Sequence, residues 1–283
     1  MNSIYDILDY NHTSLMGILN VTPDSFYDGG QFQNKNDISR RIEEMIVSGV
    51  DIIDVGAESS RPYAKSISLE EELSRLDVVF SLVSKFRDRV HFSIDTRKST
   101  VAREALNAGF VMINDISGGQ DEEMFEISHN FKTPIVLMHM QGNPENMQDS
   151  PSYDNVIDEI ITFFNNQITI AKQHGLEDKQ IILDPGIGFG KTREDNYHII
   201  QNLDAFIDLD YPILIGVSRK SFLSSIHSAD DRLPESLAVM TMATAKGSKI
   251  VRVHDVKESF KALQITNQII HNYTPKIKDN KWI

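Results

Sequence analysis

Eight short runs of aliphatic and β-branched residues recur along the chain, and apolar residues at helical spacing separate them. The runs cover residues 15–19, 52–55, 92–94, 111–113, 135–138, 181–183, 213–215 and 250–253. Eight strand–helix units within 283 residues fit a (β/α)8 barrel better than an open doubly wound sheet. The sequence therefore predicts an α/β protein with a (β/α)8 TIM barrel and a single domain.

The intervening helices are indicated by apolar residues three or four positions apart and by end signals. Leu69, Leu73, Leu76, Phe80 and Val83 form one stripe, and Ser68 with Glu71 predicts a capping box before it. Gly49 and Gly247 are placed to end two other helices. We predict the helices near residues 38–46, 69–83, 100–108, 122–128, 155–174, 194–203, 234–246 and 257–270.

No linker rich in Pro, Gly or Ser divides the chain, so its three segments belong to one domain. We expect residues 1–14 to be an N-terminal segment packing on the bottom of the barrel, residues 15–275 to form the barrel, and residues 276–283 to be a C-terminal tail.

Charge and composition argue against several classes of partner. The net charge of −13 repels polyanions, so neither nucleic acid nor an acidic membrane surface is an expected partner. Cysteine is absent, which excludes disulfides, thiolate metal sites and a Cys nucleophile. The N-terminus lacks a basic region followed by an apolar one, and apolar runs such as 134–138 are far shorter than the about 20 residues that span a bilayer. We therefore expect a cytoplasmic protein.

Polar residues follow all eight predicted strands, at the barrel end where (β/α)8 enzymes carry their active sites. Any single one could simply cap a helix, but eight polar strand ends together favour a binding site. In chain order the main candidates are Asn20, Asp24, Asp28, Glu58, Arg61, Asp95, Asn114, His139, Asp184, Ser218, Lys220, Arg252 and His254.

The glycine-rich stretch from Asp184 to Thr192 superficially resembles a nucleotide-binding loop. A P-loop requires Gly where Pro185 stands, and a dinucleotide fingerprint requires Gly where Lys191 stands. A tight turn leaving strand six explains the glycines better. Because the histidines form no HxH or HExxH pair, a permanent zinc or iron site is not expected, whereas a hard cation arriving with a phosphate could use the oxygen of Asn20.

Eight ordered motifs together resemble the dihydropteroate synthase family. They read MGILNVTPDSF (16–26), DVGAESSRP (54–62), SIDT (93–96), INDI (113–116), MHMQGNP (138–144), LDPGIGFGK (183–191), SRKSF (218–222) and RVHDV (252–256). The resemblance extends from strand one to strand eight. It implies a (β/α)8 barrel, a homodimer and, with Mg2+, the condensation of 6-hydroxymethyl-7,8-dihydropterin diphosphate with 4-aminobenzoate, which releases pyrophosphate.

The resemblance also implies roles for individual residues. The expected pterin-binding residues are Asp95, Asn114, Ile116, Met138, Asp184, Phe189, Lys220 and Arg252, with plain barrel core as the less favoured alternative for Ile116 and Met138. The expected diphosphate-binding residues are Asn20, Arg61, Arg252 and His254, with Asn20 also touching the metal ion. The expected aminobenzoate-binding residues are Phe26, Ser60, Pro62, Phe189, Ser218 and Lys220. The expected catalytic residues are Asp24, Asp28, Asp95, Lys220 and Arg252, the first two on a loop that closes over the site.

The loop after strand two departs from the family pattern Gly-Gly-Glu-Ser-Thr-Arg-Pro-Gly. Ala57, Ser60 and Tyr63 stand at the second Gly, the Thr and the last Gly. Ser60 lies on the aminobenzoate side, so this change bears on affinity for that substrate and for sulfonamide mimics. Two other functions stay open at this point, a pterin-binding methyltransferase of the same barrel family and a non-catalytic pterin-binding paralogue.

Overall fold

The computed structural model describes residues 3–22, 35–224 and 226–271. Eight parallel strands alternate with helices along this part of the chain. The strands are β1 (Ser14–Asn20), β2 (Ile52–Gly56), β3 (His91–Asp95), β4 (Met112–Asp115), β5 (Ile135–Met138), β6 (Ile181–Asp184), β7 (Leu214–Gly216) and β8 (Ile250–Val253). The helices are α1 (Ile4–Asp9), α2 (Lys35–Val47), α3 (Leu69–Phe86), α4 (Ser99–Ala108), α5 (Glu123–Phe131), α6 (Val156–Gln173), α7 (Arg193–Gln201), α8 (Asp204–Ile207), α9 (Leu233–Ala245) and α10 (Val256–His271).

The strands pair in the order β6-β5-β4-β3-β2-β1-β8-β7, so the first and last strands of the chain are neighbours. A parallel bridge between Leu183 and Ile213 joins the two ends of this order, and the Leu183 N–H donates to the Pro212 carbonyl at 2.9 Å. The sheet is therefore a nearly closed barrel. The predicted fold is confirmed.

The predicted elements differ from the observed ones mainly at their ends. The predicted helix over 194–203 is observed as α7, which ends two residues earlier, and the short helix α8 that follows it is an additional element. The Ser68 hydroxyl caps α3 by accepting from the Glu71 N–H, whereas the Glu71 carboxylate pairs with Arg75, so only the Ser68 half of the predicted capping box forms. Helix α1 was not predicted.

The core has two parts, which follow from the two faces of every strand. One large cluster lies between the strands and the surrounding helices. The second fills the barrel at the N-terminal ends of the strands, where the apolar face of α1 covers it with Ile4, Ile7 and Leu8. Its interior members are Met16, Ile52, Met112, Val136, Ile182, Leu214 and Ile250. These apolar residues close the bottom of the barrel, which leaves the opposite end for polar groups.

The side chains at that opposite rim come from the last residues of the strands. Asn20, Asp95, Asp115, Met138 and Asp184 are the last residues of β1, β3, β4, β5 and β6. In the register of the sheet Asp95 lies beside Asn114, and Met138 beside Asp184. Within the described ranges, no helix has the length and apolar character needed to cross a membrane.

Candidate active site

Arg252 lies at the centre of the C-terminal rim and is held by two carboxylates from neighbouring strands. Its Nε donates to Asp54 Oδ2 at 2.6 Å, and its Nη2 donates to Asp95 Oδ2 at 2.6 Å. The same Asp54 oxygen accepts from Asn114 Nδ2 at 2.9 Å. This bond orients the amide, so the Asn114 carbonyl oxygen is the group left to accept from a ligand.

Burial sets the charge state of this cluster. Burial raises the pKa of Asp95 to about 7, Arg252 opposes the rise, and the nearby carboxylates of Asp54, Glu72 and Asp115 add to it. Burial alone would lower the pKa of Arg252, but the carboxylates around it raise that pKa instead. Arg252 is therefore a fixed cation, and Asp95 can lose or hold a proton near neutral pH.

Asp184, the last residue of β6, presents a buried carboxylate on the same rim. Its Oδ1 accepts from the Gly186 N–H at 2.8 Å. Burial raises the pKa of this carboxyl, and Lys220, the Gly186 N–H, Lys191 and Arg252 oppose the rise. Asp184 can thus accept two parallel N–H donors from a flat heterocycle when it is ionised.

Lys220 lies opposite Asp184, at the end of the loop that follows β7. Its Nζ donates to the Ile187 carbonyl and lies 4.3 Å from the centroid of the Phe189 ring. Burial lowers the pKa of Lys220 to about 8, while Asp184 raises it. Phe189 and the lysine together form one wall of the cleft beside Asp184.

The glycine-rich turn after β6 needs its glycines for packing. Gly186, Gly188 and Gly190 have φ angles of 68°, 79° and 58°, which favour glycine. A Cβ at Gly186 would overlap the His139 carbonyl, and a Cβ at Gly190 would overlap backbone of Gln141. The turn therefore packs against the end of β5, as the tight-turn interpretation expects.

His254 and Ser218 form a second polar pair on the β7–β8 side of the rim. The Ser218 hydroxyl accepts from the His254 N–H at 3.1 Å and lies 3.1 Å from His254 Nδ1. Burial lowers the pKa of His254 to about 4, and Arg252 and Arg219 add to this effect. In the free protein the imidazole is thus neutral, and Ser218 orients it.

The other expected site residues lie around this cleft at different depths. Ile116 and Met138 are buried, Asn20 and Ser60 are half-buried, and Arg61 and Pro62 are exposed. A small cavity brings several of them near Asp95, and it is lined by Glu58, Ser59, Ser60, Asp95, Thr96, Arg97 and Ile116. Asp24, Phe26 and Asp28 lie outside the described residues.

Sequence reasoning missed Asp54 and a buried ion-pair network beside the cavity. Glu58 accepts from Arg97 at 2.9 Å and from the Ile67 N–H at 2.9 Å. Glu72, fully buried on α3, pairs with Lys98, which also reaches Glu58. This network ties the loop after β2 to the loop after β3. An acidic residue inside an apolar strand was the signal for Asp54, whereas Glu72 has no signal because it lies in an otherwise ordinary acidic first turn.

Tyr63 adopts a left-handed backbone, with φ of 65°, at the position where the family pattern has its last glycine. Its N–H donates to the Pro144 carbonyl at 2.9 Å, and its side chain is 64% exposed. A side chain in this conformation costs about 1–2 kcal/mol, whereas glycine has no such penalty.

Replacing this tyrosine by glycine is expected to stabilise the fold. For Tyr63→Gly we expect a gain of about 0.5–1 kcal/mol, because relief of strain exceeds the added freedom of the unfolded chain. Urea unfolding measures it, with Tyr63→Ala as the control that keeps a Cβ and should show no gain. A glycine variant less stable than the alanine variant would refute the strain.

The polar residues of the rim can hold a divalent cation only when a phosphate-bearing ligand binds together with it. Among residues 3–22, 35–224 and 226–271, no group of three or more His, Asp or Glu side chains is arranged to hold a metal ion. Asn20 offers one amide oxygen at the rim. Mg2+ accepts such a site when phosphate oxygens and water complete its shell.

Comparison with known proteins gives a consistent family. Residues 16–254 match the sequence profile of the family described as pterin binding enzyme. Dihydropteroate synthase from Escherichia coli (strain K12) is 41% identical over 276 residues, covering 97% of this chain and 96% of that protein.

Solved structures agree with this match. The Yersinia pestis dihydropteroate synthase in a sulfonamide drug complex superposes with a TM-score of 0.86 at 39% identity, covering 93% of this chain and 95% of that one. The Xanthomonas albilineans enzyme with 4-aminobenzoic acid gives 0.85 at 34% identity, covering 94% and 95%. The chain therefore belongs to the pterin-binding enzymes and, within them, to the dihydropteroate synthases, which are transferases of folate biosynthesis.

Proposed function

We propose that this chain joins 6-hydroxymethyl-7,8-dihydropterin diphosphate to 4-aminobenzoate by an SN1-like displacement, giving 7,8-dihydropteroate and pyrophosphate. The observation that carries the proposal is the buried rim at which Arg252 binds both Asp54 and Asp95 while Asp184 and Lys220 face each other beside it. Few ligands other than a small planar ring with several N–H donors and an attached anion fit this arrangement of charges.

The pterin edge is proposed to lie between Asp184 and Asn114. Asp184 accepts two ring donors, Asn114 accepts a third, and Lys220 donates to the ring carbonyl and nitrogen. Asp54 Oδ1 is buried and has no partner within the described part of the chain, so it adds an unused acceptor beneath this edge. Ile116, Met138 and Phe189 are proposed to cover the ring faces, with the Arg252 guanidinium stacked on the pterin.

The diphosphate is proposed to lie on the β8 side of the pterin. Arg252 is a permanent cation there, and His254 becomes one when it takes up a proton. Arg61 is exposed on the neighbouring loop and can reach an anion, and Asn20 would hold Mg2+ together with the phosphate oxygens. When bound, Mg2+ would neutralise diphosphate charge and so favour departure of the leaving group.

The chemical step requires little proton transfer from the protein. Breaking the bond to the diphosphate leaves a methylene cation conjugated with the dihydropterin ring, and the neutral aromatic amine attacks it directly. The secondary ammonium formed by this attack then loses its proton to water or to the released pyrophosphate. Arg252 and His254 stabilise the departing charge, and the ring-binding groups hold the pterin in place. Asp95, with a pKa of about 7, can accept a proton from the pterin as charge develops.

The aminobenzoate is proposed to bind above the pterin, toward the loops. Phe189 and Lys220 form its inner wall, and Ser60 and Pro62 lie on the loop after β2. The Ser218 hydroxyl is already engaged with His254, so its proposed contact with aminobenzoate would couple that substrate to the anion site. Phe26 would complete the pocket, and Asp24 and Asp28 are proposed to act from the same loop.

We also propose that the protein is a cytoplasmic homodimer with small-molecule substrates and no nucleic-acid or membrane partner. Helix α9 carries apolar residues on more than one side, which is typical of helices covered on more than one side. Met242 on this helix and Ile265, Ile269 and Ile270 on the adjacent α10 are exposed. A second copy of the chain is proposed to cover this face. Sedimentation of the native protein measures whether it is a dimer.

Pyrophosphate binding is expected to take up protons through His254. Because the pKa of the free imidazole is about 4, the group is neutral at pH 7, and a nearby polyanion favours its charged form. Pyrophosphate affinity should therefore rise as the pH falls from 7 to 5. Calorimetry in buffers of different ionisation enthalpy measures the uptake. Since Asp95 and pyrophosphate also exchange protons in this range, the share of His254 is the difference between the native protein and His254→Gln, which should take up fewer protons. The variant should bind a pterin without phosphate with little change in affinity, and equal losses for both ligands would contradict the assignment.

Growth complementation tests the proposed function. The native chain should restore growth without folate-pathway end products to a bacterium lacking its own dihydropteroate synthase. Asp184→Asn, which removes the charge at the pterin edge with a side chain of the same shape, should restore it poorly. Failure of the native chain, when the expressed protein is folded, would contradict the proposal.

A further inference from the structure

Lys191 ends the glycine-rich turn and is buried inside it, with 3% of its surface exposed. In a nucleotide-binding loop this lysine would reach a phosphate. Here its Nζ lies 3.0 Å from His139 Nδ1, 3.3 Å from the His139 carbonyl and 3.0 Å from the Phe189 carbonyl. An ammonium group has three N–H donors, and these three acceptors match them one for one.

The groups around Lys191 indicate that its side chain, and not that of His139, carries the positive charge. Burial lowers the pKa of His139 to about 3, and the adjacent Lys191 lowers it further, so Nδ1 is a neutral acceptor. Burial also lowers the pKa of Lys191 to about 7, and the carboxylates of Asp184 and Asp195 oppose this. Three acceptors directed at one nitrogen favour the ammonium form over the neutral amine.

We propose that Lys191 is a positioning residue for pterin binding, whose buried ammonium fixes the glycine-rich turn to the end of β5 and keeps the neighbouring Asp184 carboxylate ionised. The proposal rests on the proposed function, in which Asp184 accepts the N–H donors of a pterin. Lys191 touches no substrate in this account. It acts through the turn and through its charge.

The turn connects this lysine to the other side of the cleft. Between Gly186 and Lys191 lie the Ile187 carbonyl, which accepts from Lys220, and the Phe189 ring, over which the Lys220 ammonium lies. The Phe189 carbonyl is one of the three acceptors of Lys191. Because Lys191 holds the turn at this point, it fixes the positions of Phe189 and Lys220 as well as that of the Asp184 carboxylate.

The charges around Asp184 explain why a cation on this side matters. Lys220, Lys191 and Arg252 are the cations that face it, and His139 on β5 is neutral. Arg252 already pairs with Asp54 and Asp95, and Lys220 has a proposed contact with the pterin ring. Within the described ranges, Lys191 thus forms no ion pair and has no proposed substrate contact, and its charge acts on Asp184 from a distance.

The test measures the affinity of 6-hydroxymethylpterin by calorimetry from pH 5 to pH 8. Lys191→Gln can still donate to the carbonyls but has no charge, Lys191→Met has neither property, and Lys191→Arg keeps the charge. Without the charge, the pKa of Asp184 rises, so the acid limb of binding should move up by about one pH unit in the Gln and Met variants. On the acid side of that limb, affinity should then fall about tenfold beyond any loss at pH 8. Ring protonation cancels, because every variant binds the same ligand.

The Lys191→Arg variant should keep the native acid limb even if its affinity falls at every pH. Lys249→Gln is the matched control, since Lys249 is a half-buried lysine at the bottom of the barrel whose Nζ donates to the Tyr10 carbonyl. It should behave like the native protein. An unshifted limb in either uncharged variant, or a shifted limb in Lys191→Arg, would overturn the proposal. If the native protein bound no pterin, the proposed function itself would fail, which separates the two outcomes.

Discussion

Asp184→Ala is expected to reduce the affinity for 6-hydroxymethylpterin by about tenfold to a hundredfold or more. The variant leaves ring N–H donors unpaired in a cleft from which water is excluded, which costs about 1–3 kcal/mol and more when the lost partner is charged. Calorimetry of the native protein and the variant under the same conditions measures the loss.

The controls for this prediction separate the charge from the fold. Asp178→Ala removes an aspartate outside the rim, ahead of β6, and should leave pterin affinity unchanged. Asp184→Asn keeps one acceptor, so it should fall between the native protein and Asp184→Ala. Unchanged affinity in the alanine variant would show that the pterin edge lies elsewhere.

Arg252→Met is expected to have the largest effect on stability. It removes the cation shared by Asp54 and Asp95 and leaves two buried carboxylates without a counter-charge, a change that costs about 3–5 kcal/mol in comparable buried pairs. Activity should be lost as well, because the same guanidinium faces the leaving group. Urea unfolding measures the stability, and Arg252→Lys, which keeps the charge, should lose less.

The loss should depend on pH in a defined direction. The pKa of Asp95 is already about 7 in the fold, above the ordinary value of 3.8, so its protonation favours the folded state below pH 7. Removing Arg252 raises that pKa further. The Met variant should therefore be closest to the native protein near pH 5 and most destabilised near pH 8. A loss that grows toward acid pH would contradict this account of the cluster.

The sequence was informative wherever strand ends were concerned. Polar residues after eight apolar runs predict one rim, because parallel strands in a barrel all place their carboxyl ends on the same side. The structure brings Asp95, Asn114, Asp184, Lys220 and Arg252 to that rim. All of them except Lys220 directly follow an apolar strand residue, so the contrast could be recognised without a structure.

Side chains inside the strands and the turn were much less predictable. β2 is buried throughout, so no alternation of polar and apolar residues shows that Asp54 points into the barrel. Lys191 follows three glycines, a pattern that suggests a phosphate ligand, and only the fold shows it directed at His139. Glu72 lies in a helix with acidic neighbours and has the sequence context of a solvent-exposed residue, yet it is fully buried against Lys98 and Thr96.

The most direct measurement is the reaction itself. Purified protein is incubated with dihydropterin diphosphate, 4-aminobenzoate and Mg2+, and dihydropteroate and pyrophosphate are quantified together. We expect equal amounts of both products, no dihydropteroate when either substrate is omitted, and at least a hundredfold loss of rate in Arg252→Met at pH 6, where that variant is less destabilised than at pH 8. No dihydropteroate from folded native protein that binds the pterin, or an undiminished rate in the folded variant, would contradict the account.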